Sequence, residues 1–203
     1  MTPPTVLFAG DSITDCDRRT DPAGLGDGYV LRITRALAGR ARWINRGISG
    51  DTTRDLRARW AHDVLAEHPS LVSVLVGVND TWRRYDSGTH TTTADFEVNY
   101  RALLDPLAAA GTALVLVEPF LLPVRAEQVE WREDLEPKID IVRDLARDYG
   151  AVLVPADTAL NSVGDPAGLA PDGVHLSPDG TDLLAKLWLD HAAPLLAALP
   201  LVR

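Results

Sequence analysis

The sequence predicts an α/β protein: a five-stranded parallel sheet with helices on both faces, a three-layer α/β/α sandwich. Two observations lead there. Five short apolar runs, Thr5–Ala9, Ala41–Ile44, Leu71–Val76, Ala113–Val117 and Ala151–Val154, are rich in Val, Leu or Ile, as strands buried on both faces are. Segments of helical length and period separate them, and right-handed crossovers between parallel strands leave few other arrangements.

The first run opens into the turn Gly10-Asp11-Ser12. Residues 29–38 place Val30, Ile33 and Leu37 on one helical face, and Gly39 follows as a stop. Beyond the second run, Thr52 or Thr53 opens a helical stretch. Residues 93–110 carry Phe96, Tyr100, Leu103, Leu104 and Leu107 at helical spacing and end at Gly111. Residues 130–149 repeat the pattern with Leu135, Ile139, Val142 and Leu145, closed by Gly150. The last helix starts at Ser177-Pro178, an N-cap followed by proline at the first helical position, and runs through Leu183, Leu184, Leu187 and Trp188.

A chain of 203 residues, 46% apolar and 24% charged, suits one well-buried core, so a single domain over residues 1–203 is expected. No repeat or linker divides it. Acids outnumber Lys and Arg by 29 to 20, a formal charge of -9. The basic stripe that displaces counterions from phosphates is missing, which argues against a nucleic acid or an anionic membrane as partner. No apolar run approaches the roughly 20 residues that cross a bilayer. Val6–Ala9 lacks a basic segment before it and runs directly into the Gly10 turn, so no cleavable signal peptide is expected. The single cysteine, Cys16, cannot form an intrachain disulfide and agrees with a reducing, cytoplasmic location.

In parallel α/β sheets, ligands bind beyond the carboxyl ends of the strands. The residues there are Gly10-Asp11-Ser12-Ile13-Thr14, Asn45 to Thr52, Gly77-Val78-Asn79-Asp80 and, further on, Asp172-Gly173-Val174-His175. That inventory suits acyl transfer. Ser12, on a glycine-preceded turn, can present its hydroxyl as nucleophile. His175 can take the proton, since an imidazole ordinarily titrates near 6.5. Asp172 can orient that imidazole if residues 172–175 fold back on themselves. The N–H groups of Ser12 and Gly50 and the side-chain amide of Asn79 are candidate oxyanion donors.

These stretches resemble the blocks of the SGNH, or GDSL, hydrolase superfamily: Gly10-Asp11-Ser12-Ile13, Gly50, Gly77-Val78-Asn79-Asp80 and Asp172-Gly173-Val174-His175, in family order. The resemblance implies a flavodoxin-like sandwich of strand order 2-1-3-4-5, a Ser–His–Asp mechanism with three oxyanion donors, and neither metal nor cofactor. Longer strings, Gly10-Asp-Ser-Ile-Thr-Asp-Cys16, Gly28-Tyr29-Val30, Gly47-Ile-Ser-Gly-Asp-Thr-Thr-Arg-Asp-Leu56, Arg59-Trp60 and Gly77 to Asp86, are similar to intracellular acetylxylan esterases. This implies a small-molecule acyl ester as substrate, an acetylated sugar in particular. Trp82, Arg84 and Tyr85 follow Asn79 closely and are expected to line the mouth of the site, Trp82 as a sugar platform in preference to a core aromatic.

Competing readings are weaker. A lone Gly-Asp-Ser is most often a turn serine, but the three other blocks favour a nucleophile. His62, His68, His90 and His191 follow no strand-end motif. Asp11 and Asp80 are read as structural acceptors of loop N–H groups, Cys16 as a packing thiol, and Arg57, Arg59, Arg83 and Arg84 as surface charges. No His/Cys/Asp cluster has metal-ligand spacing. The alternative substrates within the superfamily are short-chain acyl esters, thioesters or lysophospholipids. A non-catalytic flavodoxin-like module is the alternative class; a receiver of that kind needs a strand-end lysine, and Lys138 and Lys186 both fall on predicted helices. The apolar last helix, with Trp188 and Leu195–Leu201, is either core or the interface of a homo-oligomer.

Overall fold

The computed structural model describes residues 3–199. Strands β1 (Thr5–Gly10), β2 (Arg42–Gly47), β3 (Leu71–Leu75), β4 (Ala113–Val117) and β5 (Val152–Val154) form one parallel sheet in the order β2-β1-β3-β4-β5. This is the flavodoxin-like order anticipated above. The helices are α1 (Ser12–Asp15), α2 (Tyr29–Ala36), α3 (Thr53–Asp63), α4 (Val78–Asp86), α5 (Thr93–Ala109), α6 (Ala126–Asp148), α7 (Ala156–Ser162), α8 (Pro166–Leu169) and α9 (Pro178–Ala198).

Because side chains alternate along a strand, β1 feeds two cores. Val6 and Phe8 pack with Tyr29 and Ile33 of α2 and with Leu184 and Trp188 of α9. Leu7 and Ala9 pack on the other side with Leu56 and Trp60 of α3 and with Phe96, Tyr100 and Leu103 of α5. Helix α6 serves both, giving Trp131, Leu135 and Ile139 to the first core and Val142 and Leu145 to the second. Trp188 is fully buried, with its ring 5.4 Å from that of Phe8, and its Nε1–H donates to Ser73 Oγ of β3 at 3.0 Å. Trp188 and Leu196 are therefore core residues, while Pro200 and Leu201 lie outside the described residues. Among the described residues, no helix is long and apolar enough to cross a membrane.

Several boundaries differ from the sequence pattern for physical reasons. Strand β2 starts one residue later than expected and continues to Gly47, through polar Asn45 and Arg46. Asn45 is buried yet satisfied: its Nδ2 donates to Thr14 O (2.6 Å) and Leu25 O (2.8 Å), and its Oδ1 accepts from Gly47 N (2.9 Å). Helix α6 begins at Ala126, earlier than its apolar stripe, because Gln128 supplies hydrogen bonds to the first turn in place of apolar contacts. Helix α4 carries buried Asn79 and Asp80, so it has no apolar period to read. Helices α3 and α9 start where capping chemistry places them: Asp55 N donates to Thr52 Oγ1 (3.3 Å) and Gly180 N to Ser177 Oγ (3.2 Å).

Replacing Ser73 by Ala leaves the Trp188 indole N–H unpaired inside the core. The expected cost is about 1–3 kcal/mol, read from the urea unfolding midpoint at unchanged slope. An unfolding curve that coincides with wild type would remove this bond from the account of the core.

Candidate active site

The turn after β1 is set by close packing. A Cβ on Gly10 would lie 2.1 Å from Leu75 O of β3, so only glycine fits. Asp11 then caps α1 by accepting from Ile13 N at 3.1 Å, and the chain reverses so that Ser12 opens the helix. Ser12 Oγ lies 2.9 Å from His175 Nε2, and His175 Nδ1 lies 2.6 Å from Asp172 Oδ2. The other carboxylate oxygen, Asp172 Oδ1, accepts the backbone N–H groups of Val174 (2.9 Å) and His175 (2.7 Å). Residues 172–175 thus fold back as the chemistry requires, with Gly173 at φ +90° making the turn. Burial opposes ionisation of Asp172, but the His175 hydrogen bond and the two N–H groups outweigh it and hold the carboxyl below its ordinary value.

Gly50 sits at φ +88° just before the α3 cap, in the loop that β2 delivers. Asn79, buried near the start of α4, donates one Nδ2–H to Asp51 O at 3.0 Å. A primary amide carries a second N–H, and Asn79 is bound to the same loop that holds Gly50. Ser12, Gly50 and Asn79 come from three successive strand ends, β1, β2 and β3.

Buried charges pin these loops. Asp80 accepts Thr53 N (2.9 Å) and Thr53 Oγ1 (2.6 Å), joining α4 to α3. Burial nevertheless pushes its carboxyl up to about 6. Burial pushes Asp11 higher, to about 7, against the pull of the Ile13 N–H and aided by the charges of Asp80 and Asp51; its Oδ2 has no hydrogen-bond partner. Arg59, expected at the surface, is instead largely covered. It donates to Asp51 Oδ2 (2.7 Å), Arg46 O (2.7 Å), Asp63 Oδ2 (2.9 Å) and Gly10 O (3.2 Å), so the ends of β1 and β2 and the Gly50 loop share one guanidinium. A lone arginine on a helix reads as solvated; acceptors brought from other strands are invisible in the sequence. Arg57 is exposed and donates to Asn99 Oδ1 at 3.1 Å.

An open cleft of about 620 Å³ adjoins Ser12 and His175, with Asp15, Asp17, Arg19, Thr20 and Ser49 on its walls. A smaller hollow of about 60 Å³ lies between Ser12, His175, Cys16, Tyr29 and Leu176. Cys16 borders both, and burial together with neighbouring carboxylates pushes its thiol up to about 11. The three expected substrate residues separate. The Trp82 ring lies 6.1 Å from the His175 ring and 5.7 Å from that of Trp131, half-buried against the core and outside the lining of both cavities. Arg84 turns to α6, where it donates to Asp134 Oδ1 at 2.7 Å, and Tyr85 stacks on Trp131 at 5.2 Å with its hydroxyl donating to Glu130 O. Arg84 and Tyr85 therefore join α4 to α6. Sequence reading also missed Gln128, which hydrogen-bonds the Asp172 carbonyl and belongs to no motif. Among the described residues, no three His, Cys, Asp or Glu side chains are grouped as a metal would need.

The sheet order and the similarities of the chain define a carboxylic ester hydrolase with the SGNH-type α/β sandwich. The chain belongs to the GDSL-like lipase/acylhydrolase family, which matches residues 8–183. It is 36% identical, over 91% of each chain, to an acetylxylan esterase of Geobacillus stearothermophilus. The solved structure of Axe2, an acetylxylan esterase from that organism, superposes with a TM-score of 0.84 at 33% identity, covering 100% of this chain and 97% of the other. Axe2 forms altered at a serine, a histidine or an aspartate are described as catalytic mutants. LAE5, an α/β hydrolase from the Lake Arreo metagenome, superposes with a TM-score of 0.84 at 28% identity over 94% of this chain and 95% of its own.

Asp11 gives a stability signature with a definite sign. Its carboxyl titrates near 3.8 when unfolded and near 7 when folded, so between those values the folded state binds the proton more tightly and stability falls as pH rises. Asp11→Asn keeps the acceptor for Ile13 N and removes this titration. The Tm of the variant relative to wild type is expected to improve between pH 5 and pH 8. A Tm difference independent of pH would refute the assignment.

Proposed function

We propose that the protein is a serine esterase that removes acetyl groups from small carbohydrates. The observation that carries the mechanism is the chain of two short hydrogen bonds, Ser12 Oγ to His175 Nε2 (2.9 Å) and His175 Nδ1 to Asp172 Oδ2 (2.6 Å). In this reading Ser12 Oγ attacks the ester carbonyl while His175 Nε2 accepts its proton. Asp172, kept ionised by the hydrogen bonds described above, fixes the tautomer and stabilises the imidazolium. The tetrahedral oxyanion is met by the N–H groups of Ser12 and Gly50 and the second N–H of Asn79, each such donor being worth about 3 kcal/mol in comparable sites. His175 returns the proton to the departing alcohol, and a water molecule, deprotonated in the same way, releases acetate and restores Ser12.

The sugar assignment rests on the acetylxylan esterase relatives and on the character of the cleft. Its walls present the polar groups of Asp15, Asp17, Arg19, Thr20 and Ser49 among apolar surface, partners for sugar hydroxyl groups. A long acyl chain or a lysophospholipid tail would require an extended apolar groove. The hollow beside Ser12, at about 60 Å³, has room for a group of acetyl size.

Two measurements test this reading. Ser12→Ala is expected to reduce p-nitrophenyl acetate hydrolysis at least a thousandfold without change in fold, since nucleophile loss in serine hydrolases costs about that much or more; retained turnover would remove Ser12 from the mechanism. Acetate release from acetylated xylo-oligosaccharides is expected to exceed octanoate release from p-nitrophenyl octanoate by at least tenfold in kcat/KM. Preference for octanoate would overturn the carbohydrate assignment and leave the esterase class in place.

A further inference from the structure

Gln128 occupies the third position of α6, where a glutamine or a glutamate can equally close the first turn. Its Oε1 does so, accepting Val124 N at 2.9 Å and Arg125 N at 3.1 Å. The opposite arm of the same amide leaves the helix. Gln128 Nε2 donates to the backbone carbonyl of Asp172 at 2.7 Å, across 44 residues of sequence. The side chain is only 1% exposed, so water does not compete for these bonds. The next residue of the acid loop is packed just as tightly. A Cβ on Gly173 would lie 2.7 Å from Gln128 Nε2, and Leu122 N donates to Gly173 O at 2.8 Å.

We propose that Gln128 is a positioning residue for the catalytic acid: its Nε2–H sets the Asp172 backbone so that the carboxylate meets His175 Nδ1. The proposal rests on the Ser–His–Asp reading above. The choice of residue type argues for it. Glutamate is at least as favourable as glutamine for helix start chemistry, because its charge also meets the positive end of the helix dipole. Only the amide can accept from Val124 and Arg125 with one arm and donate to Asp172 with the other. At an exposed helix start nothing would call for glutamine; at this buried position the amide avoids burying a charge and makes the donor contact with the acid loop.

The test exploits that division. Gln128→Glu keeps the acceptor for α6 and replaces the donor to Asp172 O with an oxygen. The expected result is a lowered Tm, because a buried carboxylate would face the Asp172 carbonyl oxygen, with kcat for p-nitrophenyl acetate lowered at least tenfold, the scale on which small misplacements of catalytic groups act. KM should stay within twofold, since apart from His175 the cleft wall, Asp15 to Thr20 and Ser49, comes from other loops. Gln128→Met, of similar volume and uncharged, loses both arms of the amide but adds no charge, and is expected to show the same loss in kcat. A folded Gln128→Glu or Gln128→Met with kcat within twofold of wild type would overturn the proposal, as would a kcat loss confined to the charged variant. If the Met variant does not fold, the Glu variant decides alone; if the Glu variant does not fold, the Met variant does. Ser12→Ala, measured beside them, tells a failed positioning role from a failed mechanism: its inactivity with active Gln128 variants sinks only the former.

Discussion

The alignment of strand ends is the constraint on which the site depends. In the sheet register, Gly10 of β1 stands opposite Gly47 of β2 and Leu75 of β3. Three loops therefore leave the sheet at one level, carrying the serine, the Gly50 loop and the asparagine to a common edge. The approach is so close at β1 that a single methyl on Gly10 would collide with a main-chain oxygen. A slip of one residue would turn Val6 and Phe8 out of their core and Leu7 and Ala9 out of theirs. Burial of those side chains, through register, thus fixes the spacing of groups that never touch them.

The loops beyond that edge are held by charge and hydrogen bonds in place of apolar contact. Arg59 gathers acceptors from the ends of β1 and β2 and from Asp51, while Asp80 ties α4 to α3. Asp11 stands among carboxylates with one oxygen unpartnered, a cost carried next to Ser12. Apolar helices covering both faces of the sheet supply the offsetting stability.

The sheet and most helices were legible because buried parallel strands and amphipathic helices leave periodic traces, whereas the strand order followed only from the family resemblance. Strand β2 was legible only in part, since Asn45 and Arg46 continue it without an apolar signal. Helix α4 was hidden for a similar reason, its buried face being Asn79, Asp80 and Thr81. Ser12, Gly50, Asn79, Asp172 and His175 stood out as small and polar residues following strands, and the structure brings Ser12, His175 and Asp172 into one hydrogen-bonded line. What could not be read was partnership. Arg84 and Tyr85 adjoin the site in sequence but turn onto α6, while Gln128 and Arg59 reach it from afar. Proximity along the chain predicts position on the backbone, and long side chains then choose among acceptors that only the fold assembles.

Helix α6 belongs to both hydrophobic layers and also holds the Asp172 loop through Gln128. Loosening either layer therefore disturbs a helix on which the other layer also packs, and the Asp172 loop, tied to the same helix through Gln128, is exposed to both.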